Sequence, residues 1–198
     1  TDRERTLKLA RRPRGVTPRE LANQGIHRQI LTRLVAGGRI ERVARGVYRL
    51  PGQPITENYG LAIAAGAVPQ GVICLLSALQ YHAIGTQLPS EVWIALDRRA
   101  WRPKLSYPPL RIVRFTGKAL TAGIESHRLE GRLVKVYGLA KTVADCFKYR
   151  NKIGLDVALE ALRAGWSARR FTMDELDRYA EICRVHRVMR PYLEALTA

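Results

Sequence analysis

Apolar residues recur along this chain first at helical spacing, then in strand-like runs, then at helical spacing again. Residues 3–12, RERTLKLARR, carry Leu7, Leu9 and Ala10 and predict a short helix, broken by Pro13 and Gly15. Thr17 followed by Pro18, with Glu20 at the capping-box position, opens a second helix that runs to about Asn23 and stops at Gly25. A third is expected from about His27 to Ala36, closed by Gly37-Gly38. Its sides divide cleanly: Ile30, Leu31 and Leu34 share one, with Val35 on the boundary, and Arg28, Gln29, Thr32, Arg33 and Ala36 share the other. The stretch GGRIERVARGVYRLPG then predicts a hairpin in which RIERV pairs with VYRL around Ala44-Arg45-Gly46. Ile40 and Val43 have opposite parity, so a bulge or a frayed end is expected in its first strand.

Beyond residue 52 the pattern predicts a helix at about 57–66, a brief buried strand in GVICL, and a helix in SALQYHAIG capped by Ser77 and stopped at Gly85. Strands follow at 91–96 and 110–116, separated by the loop DRRAWRPKLSYPP, and GIESHRLEGRLVKVYG reads as a hairpin turning near Gly131. Helices return at about 138–150, 154–165, 172–184 and 186–196. No internal repeat or low-complexity tract is visible. The expected class is α+β. A winged helix-turn-helix domain over residues 1–52 precedes a mixed α/β domain over 53–198, which has a small sheet and C-terminal helices.

Charge gives this pattern a purpose. Lys+Arg number 34 against 17 Asp+Glu, a formal net charge of +17, and 46% apolar residues leave room for a proper core. Nucleic acid is the first partner to expect for such a chain, with an anionic membrane second. The front 52 residues hold 13 Lys+Arg against 4 Asp+Glu, a net of +9 in about a quarter of the length. Two short helices joined by a glycine-containing turn form a helix-turn-helix, whose second helix offers its N-terminal residues to base edges. Arg28, Gln29, Thr32 and Arg33 are therefore the candidates to read bases in double-stranded DNA. Arg39, Arg42, Arg45 and Arg49 of the hairpin are the candidates for backbone or minor groove, and Thr17 and Arg19 for phosphate. Any solvated helix also turns a polar face outward; the helix pair, the basic hairpin and the charge together favour DNA.

Other function classes fit poorly. The most apolar run is interrupted by Pro69 and Gln70, and its pieces fall short of the ~20 residues a membrane span needs. No secretory signal is read, and the chain opens on Thr1, which leaves room for an initiator methionine or short leader upstream. Cys74, Cys146 and Cys183 are odd in number, far apart and set among apolar residues, which predicts free thiols in a reducing cytoplasm. His27, His82, His127 and His186 are equally scattered, so no metal and no cofactor is assigned. A metal-dependent nuclease would need an acid-x-Lys pair at a strand end; Asp97 and Glu130-Gly131-Arg132 come nearest, but the lysine is missing and Glu130 falls in a turn. No catalytic residue is assigned either. The other class that fits is a protein-interaction module whose basic surface meets an acidic partner.

The residues also carry a resemblance. GVTPRELANQGIHRQILTRLVAGGRIERVARGVYRLPG, GVICLLSALQYHAIG, LPSEVWIAL and VYGLAKTVADCFKYRNKIGLDVALEAL resemble the AbiEi-type antitoxins, predicted transcriptional regulators of viral defence systems, over about residues 3–165. The resemblance implies a bacterial type IV toxin–antitoxin or abortive-infection role. The winged helix would repress its own operon at inverted repeats, and the C-terminal domain would counteract a nucleotidyltransferase-like toxin without a stable complex. Part of that family consists of solitary regulators. The resemblance marks Asp145, Lys148 and Arg150 as family-like positions; an ion pair from Asp145 to Lys141, Lys148 or Tyr149 that fixes its helix is the expected role.

Two further features stand out. Loop 97–109 mixes Arg98, Arg99, Arg102 and Lys104 with Trp101 and Tyr107, which suits either nucleic acid or rings folded over the sheet edge. The last helix sets Val185, Val188, Met189, Tyr192, Leu193 and Leu196 as core, with Arg184, Arg187 and Arg190 outside and available to a partner.

Overall fold

The computed structural model describes residues 1–44, 46–53, 56–105 and 107–197. Helices α1 (Asp2–Ala10), α2 (Pro18–Ala22) and α3 (Gln29–Ala36) precede a hairpin of β1 (Glu41–Ala44) and β2 (Val47–Arg49). The expected capping box opens α2: Glu20 N–H donates to Thr17 Oγ1 at 3.2 Å, and Thr17 N–H donates to Glu20 Oε2 at 2.9 Å. The bulge or frayed end expected in the first strand corresponds to a register shift between Arg42 and Ala44. Val16 bridges to Tyr48 and so attaches the α1–α2 connection to the hairpin. The close approach requires glycine at position 15: with φ +68°, a Cβ there would stand 2.5 Å from the Tyr48 carbonyl oxygen. Leu9, Val16, Leu21, Ile26, Leu31, Leu34 and Ile40 make a separate core under these elements.

The rest of the chain is built on a five-stranded mixed sheet. Its elements are α4 (Tyr59–Ala67), β3 (Val72–Ile73), α5 (Leu75–Tyr81), β4 (Val92–Asp97), β5 (Leu110–Phe115), α6 (Lys118–Thr121), β6 (Ile124–Leu129), β7 (Arg132–Tyr137), α7 (Leu139–Lys148), α8 (Arg150–Ile153), α9 (Leu155–Ser167), α10 (Met173–Ile182) and α11 (His186–Thr197). The strand order is β5-β4-β3-β7-β6. Alternation assigns the faces: Ile73, Ile94, Leu96, Val134 and Val136 pack with α4, whereas Val72, Ala95, Val113, Phe115 and Tyr137 pack with α5, α7, α9, α10 and α11. β6 and β7 join through Glu130-Gly131, both at positive φ, as a two-residue hairpin turn asks. β4 and β5 are parallel, so residues 98–109 must return along the length of the sheet.

Some local expectations change. Helix α5 begins two residues before Ser77, which is no cap: its buried hydroxyl accepts from Trp93 N–H at 2.9 Å and ties the helix to β4. The single-turn helices α6 and α8 are too short to leave a periodic signal. The stripe of α11 is as expected, with Val185, Met189 and Leu193 buried and Arg184, Arg187 and Arg190 exposed.

Helix α7 is buried on every side from Leu139 to Phe147, and this interior holds an ion pair. Lys141 Nζ donates to Asp145 Oδ2 at 2.6 Å, and both side chains are fully buried. The ammonium also lies 4.1 Å from the Tyr137 ring centroid and 4.9 Å from that of Phe115. Cys183 Sγ donates to the other carboxylate oxygen of Asp145 at 3.2 Å. Burial raises the Asp145 pKa and Lys141 opposes it, while burial and then Asp145 push the Cys183 thiol up to about 12. All three cysteines are free and buried. Removing one partner leaves a charge stranded in the core, so Asp145→Ala is expected to cost about 3–5 kcal/mol in urea unfolding. Lys141→Met with Asp145→Leu should recover most of that loss.

His82 reports on the same layer. Its Nε2 lies 2.8 Å from the Tyr137 carbonyl oxygen, and burial lowers the imidazole pKa. Protonation therefore favours the unfolded chain. The stabilisation is present above the unfolded histidine value near ~6.5 and is lost as pH falls through it toward the folded value. The thermal midpoint should drop on acidification through that window, and His82→Gln should flatten the drop.

Candidate nucleic-acid interface

Helix α3 is eight residues long, and its burial follows the sequence pattern. Leu31 and Leu34 are buried, Ile30 is half-buried, and Arg28, Gln29, Thr32, Arg33 and Ala36 are exposed. The helix starts at Gln29, two residues later than expected. Arg28 is the N-cap residue, and the His27 imidazole supplies the cap instead, its Nδ1 accepting from Gln29 N–H at 3.3 Å. That role was missed in the sequence because histidine is not among the usual capping residues. Its effect is to fix the start of α3, and with it the direction of Arg28 and Gln29.

Around this face stand further cations. Arg39 follows the α3 C-terminus and is exposed, Arg42 is exposed on β1, and Arg19 is exposed on α2. Arg45 lies outside the described residues. Thr17 commits its hydroxyl to the α2 cap, accepting from Glu20 N–H and donating to Glu20 Oε2 at 3.1 Å.

Arg49 departs from its expected place on the surface. It is 2% exposed, and its guanidinium carbon lies 4.9 Å from the Tyr59 ring centroid. Its Nε donates to Gln53 Oε1 at 3.4 Å, and Gln53 Nε2 donates in turn to the Arg11 carbonyl at 2.8 Å. The reason is strand alternation: Arg49 shares the side of buried Val47, while Tyr48 between them faces the other way. Arg49 thus joins the hairpin to α4, buried where a surface position was expected.

Two more contacts brace the junction. Glu20 pairs with Arg14 at 3.1 Å and reaches Arg132 of β7 at 3.9 Å. Burial lowers the Arg132 pKa and Glu20 counters it. The guanidinium of Arg132 also fills the space over Gly66 of α4, where a Cβ would meet Nη1 at 2.0 Å. Thr56 hydrogen-bonds Glu130 in the β6–β7 turn. Helix α4 therefore lies between the sheet and the N-terminal unit, with Tyr59, Leu61, Ala62 and Ala64 buried.

The remaining candidate residues are dispersed. Asp145 is sealed in the core, Lys148 is exposed, and Arg150 Nη1 donates to the Phe147 carbonyl at 2.9 Å at the end of α7. Asp97 accepts from Arg99 N–H at 2.8 Å and Glu130 is held by Thr56. Among the described residues no group of three His, Cys, Asp or Glu side chains could hold a metal ion, and no helix is long and apolar enough to cross a membrane.

Three helices and a hairpin with a basic exposed helix face thus form a small N-terminal unit. Residues 4–51 match the family described as transcriptional regulator, AbiEi antitoxin. The match ends where the hairpin ends and leaves the sheet-bearing part of the chain outside it. No curated protein matches the chain.

The two arginine environments separate in a stability measurement. Arg49→Ala removes a buried hydrogen-bonded cation from the junction and should lower unfolding free energy by about 1–3 kcal/mol. Arg39→Ala, at an exposed position, should leave the unfolding midpoint where it is.

Proposed function

We propose that residues 1–52 form a winged helix-turn-helix domain and that the protein is a sequence-specific DNA-binding repressor, an AbiEi-like antitoxin that autoregulates a toxin–antitoxin operon in bacterial phage defence. The observation that carries this reading is the exposed row Arg28, Gln29, Thr32 and Arg33 on α3, with the apolar side of that helix buried and Arg39 and Arg42 beside it. The family match over residues 4–51 supports the same reading.

In this account α3 enters the major groove with its N-terminal half forward. Arg28 and Arg33 have the two-pronged geometry that suits guanine O6 and N7, Gln29 suits adenine, and Thr32 can touch a thymine methyl. Arg39, Arg42 and Arg19 meet phosphates and set the register; hairpin arginines also suit a narrow minor groove. The operator would be an inverted repeat, read by two copies of the domain. Residues 53–198 would counteract a nucleotidyltransferase-like toxin, a role that rests on the family alone. Free, buried cysteines suit a reducing cytoplasm. No enzymatic step is assigned to the chain.

Binding to the upstream region of its own gene, followed by fluorescence anisotropy, tests the division of labour. Arg28→Ala should cost roughly 1–3 kcal/mol on the operator and relax preference at one base position. Arg39→Ala should weaken operator and random duplex alike and reduce the slope of log K against log salt by about 0.9. Equal losses on both duplexes from Arg28→Ala would show that α3 does not read bases.

A further inference from the structure

The connection between β4 and β5 is out of keeping with an ordinary polar loop. Trp101 is 84% exposed, the most exposed of the large apolar side chains among the described residues, and Tyr107 is 38% exposed. Arg98, Arg99, Arg102 and Lys104 are exposed around the tryptophan, and none of them forms an ion pair among the described residues. A soluble protein normally covers much of an indole. Here the alternative in which the rings fold over the sheet edge is not what the loop does with Trp101.

The display is built. Arg114 Nη1 donates to the carbonyls of Asp97 and Ala100, both at 2.8 Å, and Asp97 Oδ1 accepts from Arg99 N–H at the start of the loop. Ala100 packs into the core on the α4 face of the sheet. At the far limb Val92 N–H donates to the Pro109 carbonyl at 2.8 Å, and Pro108 is buried against Gly60. Both limbs are held while the four cations and the indole between them face solvent. Arg102 also borders a hollow of about 280 Å³ with Arg111 and Arg114, in which Glu91 is the one acid, already paired with Arg111 at 2.8 Å.

Position decides what this surface meets. The loop crosses the same sheet face as α4, and its return limb lands on Gly60, next to the Tyr59 that receives Arg49 from the hairpin. The basic loop and the basic hairpin are thus footed on one turn of one helix. We propose that loop 98–104 is a second DNA-contacting element, which grips the duplex flanking the site read by α3. Arg98, Arg99, Arg102 and Lys104 neutralise phosphates there, and Trp101 packs its ring against the minor-groove edge of the flank. This rests on the DNA-binding reading above and extends the footprint beyond residues 1–52.

The test compares two duplexes, the minimal operator and the same operator with about ten flanking base pairs on each side, roughly one helical turn. The proteins are wild type, Trp101→Ala, and the combined Arg98→Ser, Arg99→Ser, Arg102→Ser, Lys104→Ser variant. Wild type should bind the long duplex more tightly and with the steeper salt dependence. The fourfold variant should lose that gain and flatten the slope by roughly 2–4, since each neutralised phosphate contributes about 0.9. Trp101→Ala should remove hydroxyl-radical protection from the flank, and all three proteins should bind the minimal site alike. All the substituted side chains are exposed, so unchanged circular dichroism melts serve as the folding control. Wild type that binds both duplexes equally, with variants indistinguishable from it, overturns this inference and leaves the α3 reading standing. Wild type that binds neither duplex overturns both. Loss of single-stranded RNA binding or of an acidic protein partner, with flanked-duplex binding intact, also overturns it and reassigns the loop.

Discussion

An eight-residue helix can hide only one side, and α3 hides Leu31 and Leu34. Those two leucines join Leu9, Val16, Leu21, Ile26 and Ile40 in a core too small to enclose the helix completely. Every other feature of the candidate interface follows from that burial. Residues 28, 29, 32 and 33 lie opposite the leucines and have nowhere to go but outward. Because the core lies beneath the helix, rotating α3 to conceal the arginines would expose both leucines, at about 1.5–3 kcal/mol for each. Capping by His27 and the Val16–Tyr48 bridge fix the start of the helix and the position of the hairpin beside it.

The N-terminal unit is tied to the sheet through α4. Tyr59 at the first turn of α4 receives Arg49, and Gly66 near its end leaves room for Arg132, which reaches Glu20. Glu20 is the economical residue of this junction: one carboxylate closes the α2 cap and meets both Arg14 and Arg132. On the far side of the sheet, the Lys141–Asp145 pair sits between Tyr137, Phe115 and Cys183. An ion pair this deep adds little stability over apolar residues of the same size, but it penalises any packing that separates its partners. Both partners belong to α7, so it is their contacts to Tyr137, Phe115 and Cys183 that tie this helix to the sheet and to the end of α10, and the pair is too enclosed to take part in surface chemistry.

Elements with a strong period were legible in the sequence. The division of α3, the capping box at Thr17, the irregular register after Arg42, the turn at Gly131 and the stripe of α11 all follow from spacing and residue type. What was not legible depended on neighbours distant in the chain. Alternation along β2 alone places Arg49 with Val47, yet a buried arginine is credible only once Tyr59 and Gln53, itself held by the Arg11 carbonyl, are seen beside it. Ser77 reads as a cap because serine favours caps, whereas its hydroxyl serves β4. Helical spacing allowed all three possible partners for Asp145, and the aromatic walls of the core made Lys141 the one that pairs with it. The exposure of Trp101 was open in the sequence and is fixed by how the loop is anchored at Asp97, Ala100 and Pro109.

The central claim is that the first quarter of the chain holds guanidinium groups against a duplex and reads its sequence. The most direct measurement is a titration of the native upstream DNA, and of a scrambled duplex of equal length, over a series of salt concentrations. The account requires binding in dilute buffer, a preference for the native duplex that survives as salt rises, and a steep linear fall of log K with log salt. A native duplex left unbound at the lowest salt, or bound no better than the scrambled one throughout, would contradict it.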